Sequence, residues 1–261
     1  MTLDPAIISA GFVVGLLVGV TGIGGGALMT PILVLLFGTA PRTAVGTDLF
    51  FAAITKVAGV AVHGRRGTID WQVCSRLALG SLPAAVVTGA AVHCLGRNAF
   101  KVDAVIMHAL GGMLIVTAIG LLFKERLHEA GRNFRLCEAE RFKRLQAPLT
   151  VIAGVFLGVV VTLTSVGAGA LGTLIMLYIY PLRLTSAKLV GTDLAHAIPL
   201  ALVAGSSHLM SGNICYGLLA TLLAGSIPGV VIGSYWSAGI SERVLRPVLA
   251  MLLMLTGYKM L

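Results

Sequence analysis

The sequence predicts an all-α polytopic membrane protein built from two inverted repeats, each with a broken, re-entrant first segment followed by three transmembrane helices. Composition predicts the class: hydrophobic residues make up 57% of the 261 residues and charged residues only 11%, whereas soluble domains carry about 25% charge. An internal duplication predicts the repeats, because the residue pattern of 11–89 returns at 154–234. A soluble solenoid would have shorter and less apolar repeats.

Eight apolar segments follow one another along the chain. They lie at residues 5–37, 43–63, 71–95, 102–123, 148–180, 185–208, 215–236 and 247–261. The first four predict a first membrane repeat over residues 1–123, and the last four a second membrane repeat over residues 148–261. Residues 124–147 form a basic linker with seven Lys or Arg against four Glu. This linker is either a short amphipathic helix on the membrane surface or a solvated connection.

The first segment of each repeat is too long for one crossing. A helix over residues 5–37 would reach about 50 Å, against a hydrocarbon core of about 30 Å. Each segment also carries glycines midway, in residues 22–26 and in residues 167–169, and clustered glycines disfavour a continuous helix. A kinked single span stays open, but two half-helices that turn back are the preferred interpretation.

The distribution of basic residues favours segments that turn back. If both first segments enter and leave on the same side, thirteen basic residues share the side that the positive-inside rule assigns to the cytoplasm. They are Arg65, Arg66, Lys124, Arg126, Arg132, Arg135, Arg141, Lys143, Arg144, Arg183, Lys188, Arg243 and Arg246. Only Arg42, Arg97, Lys101 and Lys259 then lie outside. A re-entrant segment plus three crossings inverts the second repeat. The prediction is a multi-pass protein of the inner (plasma) membrane with a cytoplasmic linker.

The two glycine clusters are the first candidate binding site. Unwound backbone at membrane depth is tolerated only where it packs in protein or lines a cavity, and the start of a half-helix offers free N–H groups to an anion. The predicted substrate-binding residues of the two breaks are Thr21, Gly24, Gly25, Gly26, Thr164, Ser165, Gly167 and Gly169. Close helix packing is the alternative for such glycines, and it is favoured for Gly11, Gly15 and Gly19, which are spaced four residues apart.

A Gly-Thr-Asp-Leu motif at residues 46–49 returns at residues 191–194. Asp48 and Asp193 lie inside apolar segments, where a charge is costly and usually functional. Each carboxylate is predicted to relay a proton or hold a coupling cation, or else to cap the start of its helix. The hydroxyls of Thr47 and Thr192 are the better candidates for direct contact with a bound anion.

Lys56 has no equivalent in the second repeat, where Ala201 takes its place. It follows Asp48 by about two helical turns, so the two side chains can face the same side of one helix. A lysine at this depth is predicted to bind an anion or to pair with Asp48. A side chain that extends to the membrane interface is the alternative.

Three histidines are candidate coupling or supporting groups. His63 and His208 end matching helices, where they are interpreted as interfacial or helix-capping residues; a role in proton coupling is the alternative. His196 follows Asp193 by three residues and therefore shares its helical face.

Several function classes are disfavoured. The net charge of +9 sits mostly between apolar segments, without a basic face and interleaved aromatics, so no nucleic-acid partner is expected. The four cysteines form no C-x-x-C pair, and no cofactor or metal is expected. A nucleotide-binding G-x-x-x-x-G-K-[ST] motif is absent from the sequence, so a gradient must drive uphill transport. The expected partners are a small anionic substrate and the lipid bilayer, with a homodimer left open.

With these motifs, the chain resembles the TauE/SafE family of sulfite and organosulfonate exporters. The likeness lies in Gly22-Ile-Gly-Gly-Gly-Ala-Leu-Met-Thr-Pro31, in residues 44–49, in Gly67-Thr-Ile-Asp-Trp71 and in the second copy of the pattern. The resemblance implies a small-anion transporter for sulfite, sulfoacetate or related sulfonates, with substrate near the membrane midplane at the two glycine breaks. The second break departs from the first, since Ala168 replaces a glycine and Leu174 replaces Pro31.

The expected function is a secondary carrier, not an enzyme, that exports a small anion by alternating access of two inverted repeats. Two other classes stay open: an intramembrane enzyme that acts on a lipid phosphate, and an anion channel. The enzyme would require a buried cluster of Glu, Arg, Ser and His, and the apolar segments contain no Glu pair and almost no Arg.

Overall fold

The computed structural model describes residues 4–21, 26–95, 99–137, 139–236 and 242–261, which form eleven helices and no strand. The helices are α1 (Pro5–Thr21), α2 (Gly26–Leu35), α3 (Pro41–Arg65), α4 (Trp71–Leu95), α5 (Ala99–Leu122), α6 (Lys124–Cys137), α7 (Ala139–Thr164), α8 (Ala170–Ile179), α9 (Ser186–Met210), α10 (Tyr216–Trp236) and α11 (Glu242–Met260). The predicted all-α class is confirmed. Helices α1–α5 correspond to the first repeat and α7–α11 to the second.

The linker is helical over most of its length. Helix α6 covers residues 124–137, and α7 already begins at Ala139, nine residues before the predicted start of the second repeat. The reason is local: Glu, Arg, Lys, Leu and Gln dominate residues 139–147, and all are good helix formers. The apolar boundary at residue 148 is therefore not the helix boundary.

The first segment of the second repeat is broken and turns back. Helix α7 ends at Thr164 and α8 begins at Ala170, with residues 165–169 outside any helix. Near the start of α7, the Gln146 side chain donates to the Ile179 carbonyl at the end of α8 (2.9 Å). The hydroxyls of Thr150 and Tyr180 are also 2.8 Å apart. Helix α8 therefore runs back along α7. The corresponding residues 22–25 of the first repeat lie outside the described residues.

Six helices are long and apolar enough to cross a membrane: α3, α4, α5, α7, α9 and α10. The sequence also predicts six crossing segments, but one of the six is residues 247–261, and the segment that contains α7 is predicted to be re-entrant. Helix α7 joins the set through its apolar run Phe142–Thr164. Within the part of the chain that the structure describes, α11 is not among the helices that are long and apolar enough to cross a membrane.

The two repeats exchange equivalent contacts. Helix α1 packs on α10, and α4 packs on α7. The close approaches are reciprocal: Gly11 meets the backbone of Leu222, Gly15 that of Ser226, Gly154 that of Leu77, and Gly158 that of Ser81. The predicted packing role of Gly11 and Gly15 is confirmed, because a Cβ at either position would strike the neighbouring helix.

Helices α3 and α9 pack against each other at the centre and run in opposite directions. Near the start of α3, Gly46 lies against His208 at the end of α9. Near the start of α9, Gly191 lies against His63 at the end of α3. Since α3 and α9 are equivalent helices of the duplicated pattern, each Gly-Thr-Asp motif lies beside the end of the counterpart helix.

Ion pairs mark the two ends of the bundle. At one end, Arg183 binds Asp70 through Nε and Nη2 at 2.7 and 2.8 Å, and α6 is attached to α11 by an Arg246–Glu125 bond of 3.1 Å. At the other end, Arg42 Nε lies 3.6 Å from Asp103. The first end carries the basic linker, as the charge distribution predicts for re-entrant segments.

Candidate functional site

Lys56 lies at the centre of the protein and connects the two repeats. Its side chain is buried, with 3% of the residue exposed. The ammonium Nζ donates a hydrogen bond of 2.6 Å to the Ala168 carbonyl, in the unwound stretch of the second repeat. The side chain therefore points into the protein and does not extend to the membrane interface. Helix α3 places it there because Lys56 and Asp48 share one helical face.

Two buried carboxylates face this cation. Asp48 and Asp193 both interact electrostatically with Lys56, and 0% and 3% of these residues are exposed. The Thr30 hydroxyl on α2 donates to Asp48 Oδ2 at 2.5 Å. On the other side, Asp193 Oδ1 lies against Gly172 of α8, 2.5 Å from the position a Cβ would take. Lys56, Asp48 and Asp193 thus form a central charge cluster, whose contacts join α2, α3, α8 and α9.

Neither carboxylate caps its own helix. Helix α3 begins at Pro41, seven residues before Asp48. Helix α9 is capped by Thr185, whose side chain accepts from the Lys188 N–H at 3.4 Å. The capping alternative for the Gly-Thr-Asp motifs is therefore wrong, and their carboxylates serve the central charge cluster.

The unwound stretch at residues 165–169 holds a strained backbone. Ser165 has φ of 57°, Gly167 of 120° and Gly169 of 149°, which L side chains rarely adopt. Among the described residues, the N–H groups of residues 167–171 have no backbone acceptor. The Ser165 hydroxyl is buried without a hydrogen-bond partner there and lies near Asp48. Free donors and a cation therefore converge at the start of α8.

Thr164 has a different role from that of Ser165. Its hydroxyl donates to the Val160 carbonyl at 2.7 Å and accepts from the Val166 N–H at 3.1 Å. These bonds cap the end of α7, so this hydroxyl is already engaged by the backbone. The residues that contact the central charge cluster, such as Ala168, follow Thr164 in the chain.

Thr47 and Thr192 lie in equivalent contacts between the repeats. Thr47 Oγ1 accepts from the Cys215 N–H just before α10 (3.2 Å). Thr192 Oγ1 accepts from the Asp70 N–H just before α4 (2.9 Å). Both hydroxyls therefore hold the start of a helix in the opposite repeat. Their direct contact with a bound anion stays a prediction.

The histidines differ from one another in burial. His208 is buried, and its Nε2 donates to the Thr162 carbonyl at 2.9 Å, so its interpretation as an interfacial residue is wrong. His63 is half-buried, with Nδ1 2.8 Å from Thr68 Oγ1. His196 is buried and pairs with Ser81 across the repeats, with Nε2 2.8 Å from Oγ. His196 also interacts electrostatically with Lys56 and belongs to the central cluster.

Some predicted residues lie outside the described part of the chain. Gly24 and Gly25 fall within residues 22–25, and only the helical backbone of Thr21 and Gly26 is described. Sequence reasoning missed Thr30, Ser81 and Gly172. Thr30 had a usable signal, because it recurs as Thr173 in the duplicated pattern. Among the described residues, no group of three His, Cys, Asp or Glu is arranged to hold a metal ion.

Comparison with known proteins places this architecture among transporters. A family model described as "Sulfite exporter TauE/SafE" matches residues 7–260. The "Probable membrane transporter protein YjnA" of Bacillus subtilis (strain 168) is 40% identical over 98% of this chain and 99% of its own length. YdhB of the same organism is 28% identical over 95% and 99%. The "Probable membrane transporter protein MJ0441" of Methanocaldococcus jannaschii is 25% identical over 100% and 96%. No solved structure matches the chain.

Proposed function

The chain belongs to the sulfite exporter TauE/SafE family of membrane transporters, and from this membership we propose that it is a secondary carrier that exports sulfite or a small organosulfonate by alternating access. The observation that carries the proposal is the convergence of Lys56 on the unwound stretch at residues 165–169. Two electrostatic features favour an anion at one point: a buried ammonium and a helix start with free N–H groups.

The anion would bind between Lys56 and the start of α8. The N–H groups of residues 167–171 and the Ser165 hydroxyl would donate to its oxygens. Hydrogen bonds to a charged oxygen contribute about 1.5–3 kcal/mol each, so four or five could offset the dehydration of a sulfite or sulfonate. Residues Thr21 and Gly24–Gly26 of the first break, with Thr47 and Thr192, are the further proposed contacts.

Asp48 and Asp193 would serve the site through Lys56. A carboxylate would repel a bound anion, but it keeps a buried lysine charged and oriented. We assign these two residues, with His196, to coupling and positioning. His63 and His208 are assigned to the same group because they end α3 and α9, where the repeats meet.

Alternating access would use the two equivalent contacts between α3 and α9. Gly46 packs on Asn213 and His208 at one end, and Gly191 packs on Thr68 and His63 at the other. Because α3 and α9 are antiparallel, opening one contact while the other stays closed exposes the central cluster to opposite sides. The basic end would face the cytoplasm, which places the linker 124–147 there.

Counterflow in proteoliposomes tests the proposed function. Purified protein in vesicles loaded with unlabelled sulfite should take up external ³⁵S-sulfite faster and to a higher transient level than vesicles loaded with chloride. The same uptake is then measured with sulfoacetate or taurine inside the vesicles in place of sulfite. The compound that gives the largest uptake identifies the preferred substrate class. Ohmic anion current without counterflow would indicate a channel, and release of phosphate from lipid phosphates an enzyme. Absence of counterflow with sulfite and with both sulfonates would overturn the proposal.

Gly172→Ala is expected to reduce counterflow by at least about threefold. The added Cβ would lie 2.5 Å from Asp193 Oδ1, so the carboxylate must move and its interaction with Lys56 weakens. Overpacking of this kind costs about 1–3 kcal/mol. Gly64→Ala is the matched control, because its Cβ would meet only Ile69 Cδ1 at 3.8 Å. Equal transport by both variants at equal protein would contradict the role of Asp193.

A further inference from the structure

A cavity of about 710 Å³ lies at the end of the bundle opposite the basic linker. It is formed where the starts of α3 and α5 meet the ends of α4 and α9. Its lining includes Arg42, His93, Cys94, Met210, Ser211 and Asn213. The proposed orientation places this cavity on the outer side of the membrane. Its volume is that of a small-molecule pocket, large enough for a sulfur oxyanion together with water.

The cavity reaches the contact that closes the central site. The Asn213 carbonyl in its lining packs against Gly46, and Thr47 and Asp48 follow directly in α3. Thr47 in turn accepts from the Cys215 N–H beside the same loop. An anion released past Gly46 would therefore enter this cavity first.

The polar groups of the cavity are arranged to receive an anion. Asp103 holds Arg42 by accepting from its backbone N–H at 3.3 Å and by lying 3.6 Å from its Nε. The terminal guanidinium nitrogens of Arg42 have no hydrogen-bond partner among the described residues, and such a pair of donors can bind two oxygens of one oxyanion. Ser211 Oγ lies 2.9 Å from His93 Nδ1, which fixes the ring at the cavity wall. Asp103 is the opposing charge, and it acts on the Nε side of Arg42.

We propose that this cavity is an outer binding site for the exported sulfur oxyanion, with Arg42 as its charged ligand. The proposal rests on the proposed function for the identity of the anion. The phosphate of a lipid headgroup would offer the same oxyanion chemistry to Arg42, so the experiment must separate a soluble sulfonate from lipid.

Cys94 supplies a reporter within the cavity, because its thiol is exposed and the residue lines the wall. A variant that keeps Cys94 as its single cysteine is placed in right-side-out vesicles and treated with two membrane-impermeant methanethiosulfonates. The sulfonatoethyl reagent is anionic and is itself an organosulfonate, whereas the trimethylammonioethyl reagent is cationic. Intact-mass spectrometry gives the two rates. Arg42→Gln is expected to lower the anionic-to-cationic rate ratio about tenfold, as loss of a unit charge nearby predicts. Arg42→Lys should keep the ratio within about twofold.

A variant that keeps only Cys215 is the matched control. That thiol is also exposed, but the residue does not belong to the described cavity lining. Its ratio should change less than about twofold with Arg42→Gln. Sulfoacetate, compared with chloride at equal ionic strength, should slow the reaction of the anionic reagent with Cys94 but not its reaction with Cys215.

An unchanged ratio at Cys94 in Arg42→Gln, an equal change at Cys215, or no effect of sulfoacetate would overturn the inference; the last result would mean that no soluble sulfonate occupies the cavity. Failure of counterflow with retained charge selectivity at Cys94 would instead overturn only the proposed function and leave an anion site. Normal counterflow without selectivity at Cys94 would overturn the cavity proposal alone.

Discussion

Lys56→Met is expected to reduce anion counterflow at least about tenfold. Methionine has nearly the length of lysine, but it removes the ammonium that bonds the Ala168 carbonyl. The variant also leaves Asp48 and Asp193 without the cation that faces them. Loss of a hydrogen bond from a charged donor to the anion costs about 1.5–3 kcal/mol, and a tenfold change in rate corresponds to only about 1.4 kcal/mol. Counterflow per folded protein, measured in proteoliposomes, checks the expectation.

Loss of transport could reflect loss of folding, and a second substitution separates the two. The double variant Lys56→Met/Asp193→Asn removes one of the uncompensated carboxylates, so it should recover thermal stability without recovering counterflow. Lys188→Met is the matched control, because Lys188 is exposed at the start of α9 and should transport at the wild-type rate. Wild-type counterflow in Lys56→Met, or recovery of counterflow in the double variant, would contradict the proposed binding role of Lys56.

The helices and the break in the second repeat could be predicted from the sequence because their causes are local. Apolar length fixes which segments can cross a bilayer, and the glycines at 167 and 169 take φ values that other residues avoid. Close helix packing at Gly11 and Gly15 could also be predicted, since they present a surface without side chains, but their partner α10 could not. The boundary at Ala139 was missed because a good helix-forming sequence continues the helix without an apolar signal.

The site could be predicted only in its components. Lys56 can be identified in the sequence because the second repeat has no equivalent lysine. The carbonyl that accepts its hydrogen bond, however, belongs to Ala168, 112 positions away. No local pattern contains that contact. The burial of His208 and the interrepeat bonds of Thr47 and Thr192 depend in the same way on how α3 meets α9. The N-cap alternative is wrong because α3 begins at Pro41 and α9 at Ser186, seven residues before Asp48 and Asp193.

Gly15→Ala and Gly158→Ala are expected to destabilise the protein by about 1–3 kcal/mol each, the usual cost of overpacking a tight contact. A Cβ on Gly15 would lie 2.7 Å from the Ser226 Cα, and one on Gly158 would lie 2.9 Å from the Ser81 Cα. Both obstacles are backbone atoms, so the helices themselves must separate. Small residues of this kind let membrane helices approach closely, and thermal unfolding in detergent measures the loss.

The same substitution should have the opposite sign where no helix is near. Gly112 in α5 has nothing within 4 Å of its Cβ position, and alanine favours a helix over glycine by about 1 kcal/mol, so Gly112→Ala should unfold at an equal or higher temperature than the wild type. Because Gly15 and Gly158 occupy equivalent places in the two repeats, their losses should also be similar. If Gly15→Ala is as stable as Gly112→Ala, the α1–α10 contact is not as close as described. A loss at Gly15 without one at Gly158 would instead mean that the reciprocal packing of the repeats does not extend to α4 and α7.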